Sequence, residues 1–148
     1  MIPSRQRSCI LVVVFTLLLA ACGQSQPAAT APQTLSVAAK EFAFAPAALT
    51  AKAGQPITIS LQNTGTVEHD WSIREIEISG KATTSGDAMS GHTMGGMGDE
   101  PKLHVAAGIG GNGTLTFTPS KPGTYEYYCT IAGHKEAGVV GTLTVTPS

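Results

Sequence analysis

Charge is scarce in this sequence, and neither sign dominates. Only 13% of the 148 residues are Asp, Glu, Lys or Arg, nine basic against ten acidic. No basic stripe exists to follow a phosphate backbone, so nucleic acid is not a partner. No general acid/base pair framing a substrate pocket can be argued either, which speaks against an enzyme. Helical periodicity is missing too: apolar residues nowhere recur at the 3.6 spacing for more than a turn or two, and no internal repeat is visible. Aromatics make up only 5% and there is a single tryptophan. Cysteine is the most informative shortage, with three in all, at positions 9, 22 and 129.

The first two cysteines belong to a leader. Arg5 and Arg7 precede an apolar run from Ile10 to Ala21 that ends in small residues, the make-up of a secretory signal. The run is shorter than the roughly 17–25 residues a spanning helix needs. Leu19-Ala20-Ala21-Cys22 resembles the bacterial lipobox, which implies cleavage at residue 22 and lipid on Cys22. Residues 1–21 are then a lipoprotein signal, 22–33 a polar Ala/Pro-rich tether, and 34–148 one domain large enough to bury a core without disulfide staples. Loss of Arg5 and Arg7 leaves seven basic against ten acidic residues, a net charge of −3. The expected location is outside the cytoplasmic membrane, lipid-anchored and facing the periplasm or the cell exterior.

From Thr34 the signals are those of short strands. Thr34 to Lys40 alternates modestly, and Phe42 and Phe44 alternate before Pro46. Ile57, Ile59 and Leu61 alternate strictly with Thr58, Ser60 and Gln62 until Asn63-Thr64-Gly65 ends the run. His69 opens a further strand with mixed faces. Ser79 to Lys102 is rich in Gly, Ser, Thr and Met without apolar periodicity and reads as one long loop, 79–102. Leu103–Ala106, Thr114–Phe117, the Tyr125 stretch and the Val140 stretch complete seven to eight strands joined by Gly/Pro/Asn turns. The expected fold is an all-β antiparallel sandwich with Greek-key connections.

The last two of these strands frame the chemistry. Tyr125, Tyr127 and Cys129 share one parity, Val140, Leu143 and Val145 follow, and the Gly-rich turn between carries His134. In an exported chain an unpaired thiol needs a reason, and Cys129 is the only one left after cleavage. A thiolate five residues from one imidazole, with His69 far upstream at a strand start, is a donor set that selects copper. Here the chain resembles the cupredoxin family across nearly all of Thr34 to Ser148: the aromatic-Pro opening, NTG before HDW, FTPSKPGTYEYYC and CTIAGHKEAG stand in order. The long span from Cys129 to His134 is similar to the auracyanin, rusticyanin and sulfocyanin branch.

The resemblance implies a type 1 copper site with one ion held by His69, Cys129 and His134. It also implies that His134, near the surface, passes the electron to redox proteins of an electron-transfer chain. It makes the protein a monomeric one-electron shuttle. Two departures stand out. The family's axial methionine position is Val139, which cannot coordinate, so the axial direction is empty, filled by a backbone oxygen such as that of Glu68, or reached by a methionine from elsewhere. The residue after the first histidine is Asp70, which puts a carboxylate near the thiolate unless it points away. Met89, His92, Met94 and Met97 offer soft donors for a second, Cu(I) site, or else lie in a solvated loop. His104 reads as an ordinary strand residue. The competing functions are copper delivery or resistance through the Met/His loop, and a catalytic cupredoxin resembling nitrosocyanin.

Overall fold

The computed structural model describes residues 31–86 and 100–148, which form ten strands and no helix. They run β1 Gln33–Lys40, β2 Ala43–Ala45, β3 Ala48–Lys52, β4 Ile57–Asn63, β5 His69–Ile73, β6 Ile78–Gly86, β7 Leu103–Ala107, β8 Asn112–Pro119, β9 Gly123–Tyr128 and β10 Val140–Thr146. Two five-stranded sheets face each other, ordered β2-β1-β4-β8-β6 and β3-β10-β9-β5-β7. The all-β sandwich is therefore as the alternation predicts, with ten strands rather than seven to eight because β3 and β6 are added to those expected.

The alternating residues supply the core. Ile57, Ile59 and Leu61 on β4, Leu115 and Phe117 on β8, and Leu143 and Val145 on β10 point inward and are buried. Each such side chain withdrawn from water contributes roughly 1.5–3 kcal/mol. Trp71 and Tyr127, both fully buried, stack at the centre with ring centroids 5.2 Å apart, flanked by Phe44 and Phe117.

Three features depart from the sequence reading. Two pairings are parallel rather than antiparallel, β1 with β4 and β3 with β10. A period of two reports which face a residue takes and says nothing of the partner's direction. Second, residues 79–86 of the expected 79–102 loop are strand: β6 pairs with β8 along the edge of the first sheet, with a register irregularity between Ser79 and Thr83. Only Ile78 and Ala82 pack against the core and the other residues are exposed, so the strand carries no alternation to detect. Third, β5 is buried throughout, including Asp70 and Ser72 on the face away from the core residues Trp71 and Ile73. The stretches 1–30 and 87–99 lie outside the described residues, and with them the expected leader, tether, Cys22 and the Met89, His92, Met94 and Met97 group.

Candidate metal centre

His69 is placed by the turn that precedes it. Asn63, at the end of β4 and 1% exposed, donates its side-chain amide to the carbonyls of Val67 at 2.7 Å and Ala107 at 3.1 Å. Its oxygen accepts from Gly65 N at 2.9 Å. The NTG signal thus does more than end a strand, because it builds the corner from which β5 starts. Across this corner Glu41 takes hydrogen bonds from the backbone N–H and the hydroxyl of Thr66. Those bonds hold the Glu41 carboxyl down at about 2.

Cys129 follows β9 directly, and the loop to β10 is closed by its own backbone. Cys129 N donates to Val139 O at 3.1 Å, Val139 N to His134 O at 3.0 Å, and His134 N to Ile131 O at 3.0 Å. Gly138 sits at φ +104°, a conformation that costs other residues strain, and it lets the chain turn back against the carbonyl of Phe42. Val139 is 1% exposed and holds the loop through its N–H and C=O, while its isopropyl group offers no donor atom.

The loop and β5 bring the three residues together as the sequence predicts. One donor atom from each of His69, Cys129 and His134 lies within 4.8 Å of the others. Cys129 Sγ is 3.4 Å from His134 Nδ1, and the two imidazole centroids are 4.9 Å apart. His69 is completely buried, yet neither Nδ1 nor Nε2 has a hydrogen-bond partner. A buried polar atom left unpaired costs about 1–3 kcal/mol. A metal ion among these donors removes that cost for one of the nitrogens. Burial, then the neighbouring His134, push the His69 pKa down, which keeps its imidazole neutral and able to ligate. Burial, then the charge of Asp70, push the Cys129 thiol up to about 12, so without metal it stays protonated and its proton leaves when a metal binds. One soft thiolate with two imidazoles fits copper.

Asp70 does not point away from the thiolate. Its side chain is fully buried and accepts from Thr130 N at 3.0 and 3.1 Å, Thr130 Oγ1 at 2.7 Å and Ser72 Oγ at 2.9 Å. Oδ2 stands 3.7 Å from Cys129 Sγ, and Asp70 N donates to the same sulfur at 3.5 Å. From β7, His104 Nε2 stands 4.0 Å from Oδ1, with no hydrogen bond between them. The sequence reading missed Ser72 and Thr130. Asp70 and Ser72, two apart in a strand, share a face, and that was the available signal.

A two-sheet sandwich with a His–Cys–His cluster at one end defines the class. The Cupredoxin-like domain model matches residues 9–89, more than half of the chain, and the chain belongs to that family. The match includes His69 and stops before Cys129. Full-length relatives carry the comparison further. The copper-resistant cuproprotein CopI of Pseudomonas aeruginosa is 30% identical over 152 residues, covering 86% of this chain and 83% of its own. Auracyanin-A of Chloroflexus aurantiacus is 30% identical over 143 residues, covering 84% and 86%. The solved structure of auracyanin B superposes with a TM-score of 0.57 at 30% identity, over 78% of this chain and 89% of that one.

Proposed function

We propose that the chain is a type 1 copper protein that carries one electron at a time, with His69, Cys129 and His134 as ligands. The observation that carries this is the buried His69, whose two ring nitrogens have no partner while the Cys129 sulfur and a His134 nitrogen stand beside it. Bound copper supplies the Cu(II)/Cu(I) couple. The protein holds His69 on β5 and the other two donors on a loop braced by its own backbone hydrogen bonds between β9 and β10, so little rearrangement accompanies a change of charge. Cys129 gives the soft thiolate and the two imidazoles complete the set. Val139 leaves the axial direction without a side-chain donor.

His134 is the exit for the electron. It is partly exposed, and three segments linked to this end of the fold carry exposed apolar side chains: Phe42 is 68% exposed, Val67 41% and Ile109 66%. Phe42 abuts the Gly138 turn, Val67 accepts from Asn63, and Ile109 sits in the turn whose Gly111 O also accepts from Asn63. Such a surface suits brief contact with larger redox proteins, since an apolar patch sheds water without fixing charges. Two relatives point to a second reading, copper resistance: CopI of P. aeruginosa carries that name, as does the CopI of Rubrivivax gelatinosus. In that reading Met89, His92, Met94 and Met97 take Cu(I).

Titrating residues 34–148 with copper separates the two. A carrier binds one equivalent, with intense thiolate-to-copper absorption and a reversible one-electron wave. A resistance protein binds a second equivalent that disappears when residues 89–97 are deleted. A chain that takes no copper in a 1:1 ratio overturns both.

We further propose that the protein is exported and tethered by lipid on Cys22, so that it works at the membrane surface. The charge, apolar length and Leu19-Ala20-Ala21-Cys22 ending support it. In a bacterial host, full-length protein should sediment with membranes and Cys22→Ser should not. Equal membrane binding of the two would remove the tether.

A further inference from the structure

The cluster around Asp70 carries more than loop packing. Its carboxylate is the only acidic side chain buried among the described residues. It lies against the one atom, Cys129 Sγ, that the copper reading makes the thiolate ligand. Besides the Cys129 thiol, three donor groups converge on it, Thr130 N, Thr130 Oγ1 and Ser72 Oγ, which makes it an acceptor on both oxygens. They come from β5 itself and from the residue after Cys129, so the carboxylate ties the two ligand-bearing segments together.

We infer that Asp70 is a positioning residue that also sets the redox balance of this site, holding its potential low by keeping a fixed negative charge beside the Cys129 sulfur. The inference rests on the copper reading above. A fixed anion at this distance favours the more positive oxidised metal over the reduced one. The Thr130 and Ser72 donors spread that charge and so temper it. The backbone N–H of Asp70, which reaches the same sulfur, works in the opposite sense. It is unaffected by changing the side chain, so the carboxylate can be tested separately.

The test is Asp70→Asn in the full chain, loaded with one copper and equilibrated with the hexacyanoferrate couple at one fixed pH. Asparagine keeps the shape and an acceptor for Thr130 N, but removes the charge and can turn an N–H toward the sulfur. The visible band should persist while the equilibrium constant for reduction rises at least tenfold, or about 59 mV for one electron. Thr130→Val keeps the carboxylate and removes one donor, so the balance should move the other way. A role in packing alone predicts no such pair of opposite shifts. An intact band with an unchanged or lower potential in Asp70→Asn overturns the inference and leaves the copper reading standing. If Asp70→Asn takes no copper, Thr130→Val decides, and no fall in its potential overturns the inference. Wild-type protein that forms no 1:1 copper band removes the copper reading and this inference together.

Discussion

Cys129→Ser should lose the intense visible band altogether and weaken copper binding by more than the roughly 10–100-fold that changes to outer partners of a metal cost. The reason is chemical rather than steric. Serine fits the same space, but its hydroxyl does not ionise at neutral pH and is a hard donor where copper in a trigonal set needs a soft one. The fold should survive, because the oxygen can still accept from Asp70 N and donate to the Asp70 carboxylate, the contacts that Sγ makes now. Metal-free Cys129→Ser should therefore melt within a few degrees of the metal-free parent by calorimetry. Copper should raise the melting temperature of the parent far more than that of the variant. A variant that keeps the intense band would show that Cys129 is not the thiolate ligand.

The same residues explain what the sequence made legible. Cys129 and His134 lie on one loop, and a lone thiol demands an explanation in a chain whose leader reads as a secretory signal, so two of the three clustered residues could be named from spacing. His69, 60 residues away, was reachable only through the NTG…HDW pattern. The strands that face the core announced themselves through Ile57, Ile59 and Leu61. The edge strand β6 did not, because Lys81, Thr83, Thr84 and Ser85 face water and only Ile78 and Ala82, four apart, touch the core, too few to show a period of two. The network on Asp70 stayed hidden for a different reason. Thr130 is an ordinary polar residue until the fold sets it against the carboxylate from 60 positions away. Parallel pairing was also out of reach: β1 finds β4, and β3 finds β10, only through the closure of the whole sandwich.

Gly141→Ala should destabilise the domain by about 1–3 kcal/mol or more, the usual range for forcing extra atoms into a packed core. Gly141 pairs with Tyr127 across β10 and β9, and the Tyr127 side chain lies over the glycine. A methyl added there would stand 2.2 Å from Tyr127 Cζ and 2.4 Å from its hydroxyl oxygen, closer than atoms can approach. The ring has no room to yield: it is fully buried, stacked on Trp71, tilted against Phe44 and held by its hydroxyl, which donates to Pro46 O at 2.9 Å. Displacing it would disturb β9 two residues before Cys129, so the metal site should suffer along with the core. Gly108→Ala is the control, since a methyl there meets nothing within 4 Å. Chemical denaturation of the metal-free proteins should place Gly108→Ala near the parent and Gly141→Ala well below it. The copper band of Gly141→Ala should also be weakened or broadened even where the protein remains folded. Equal stability of the two variants would mean that Tyr127 can leave its place over Gly141 at no cost, and that the aromatic stack behind Cys129 does not hold the site rigid.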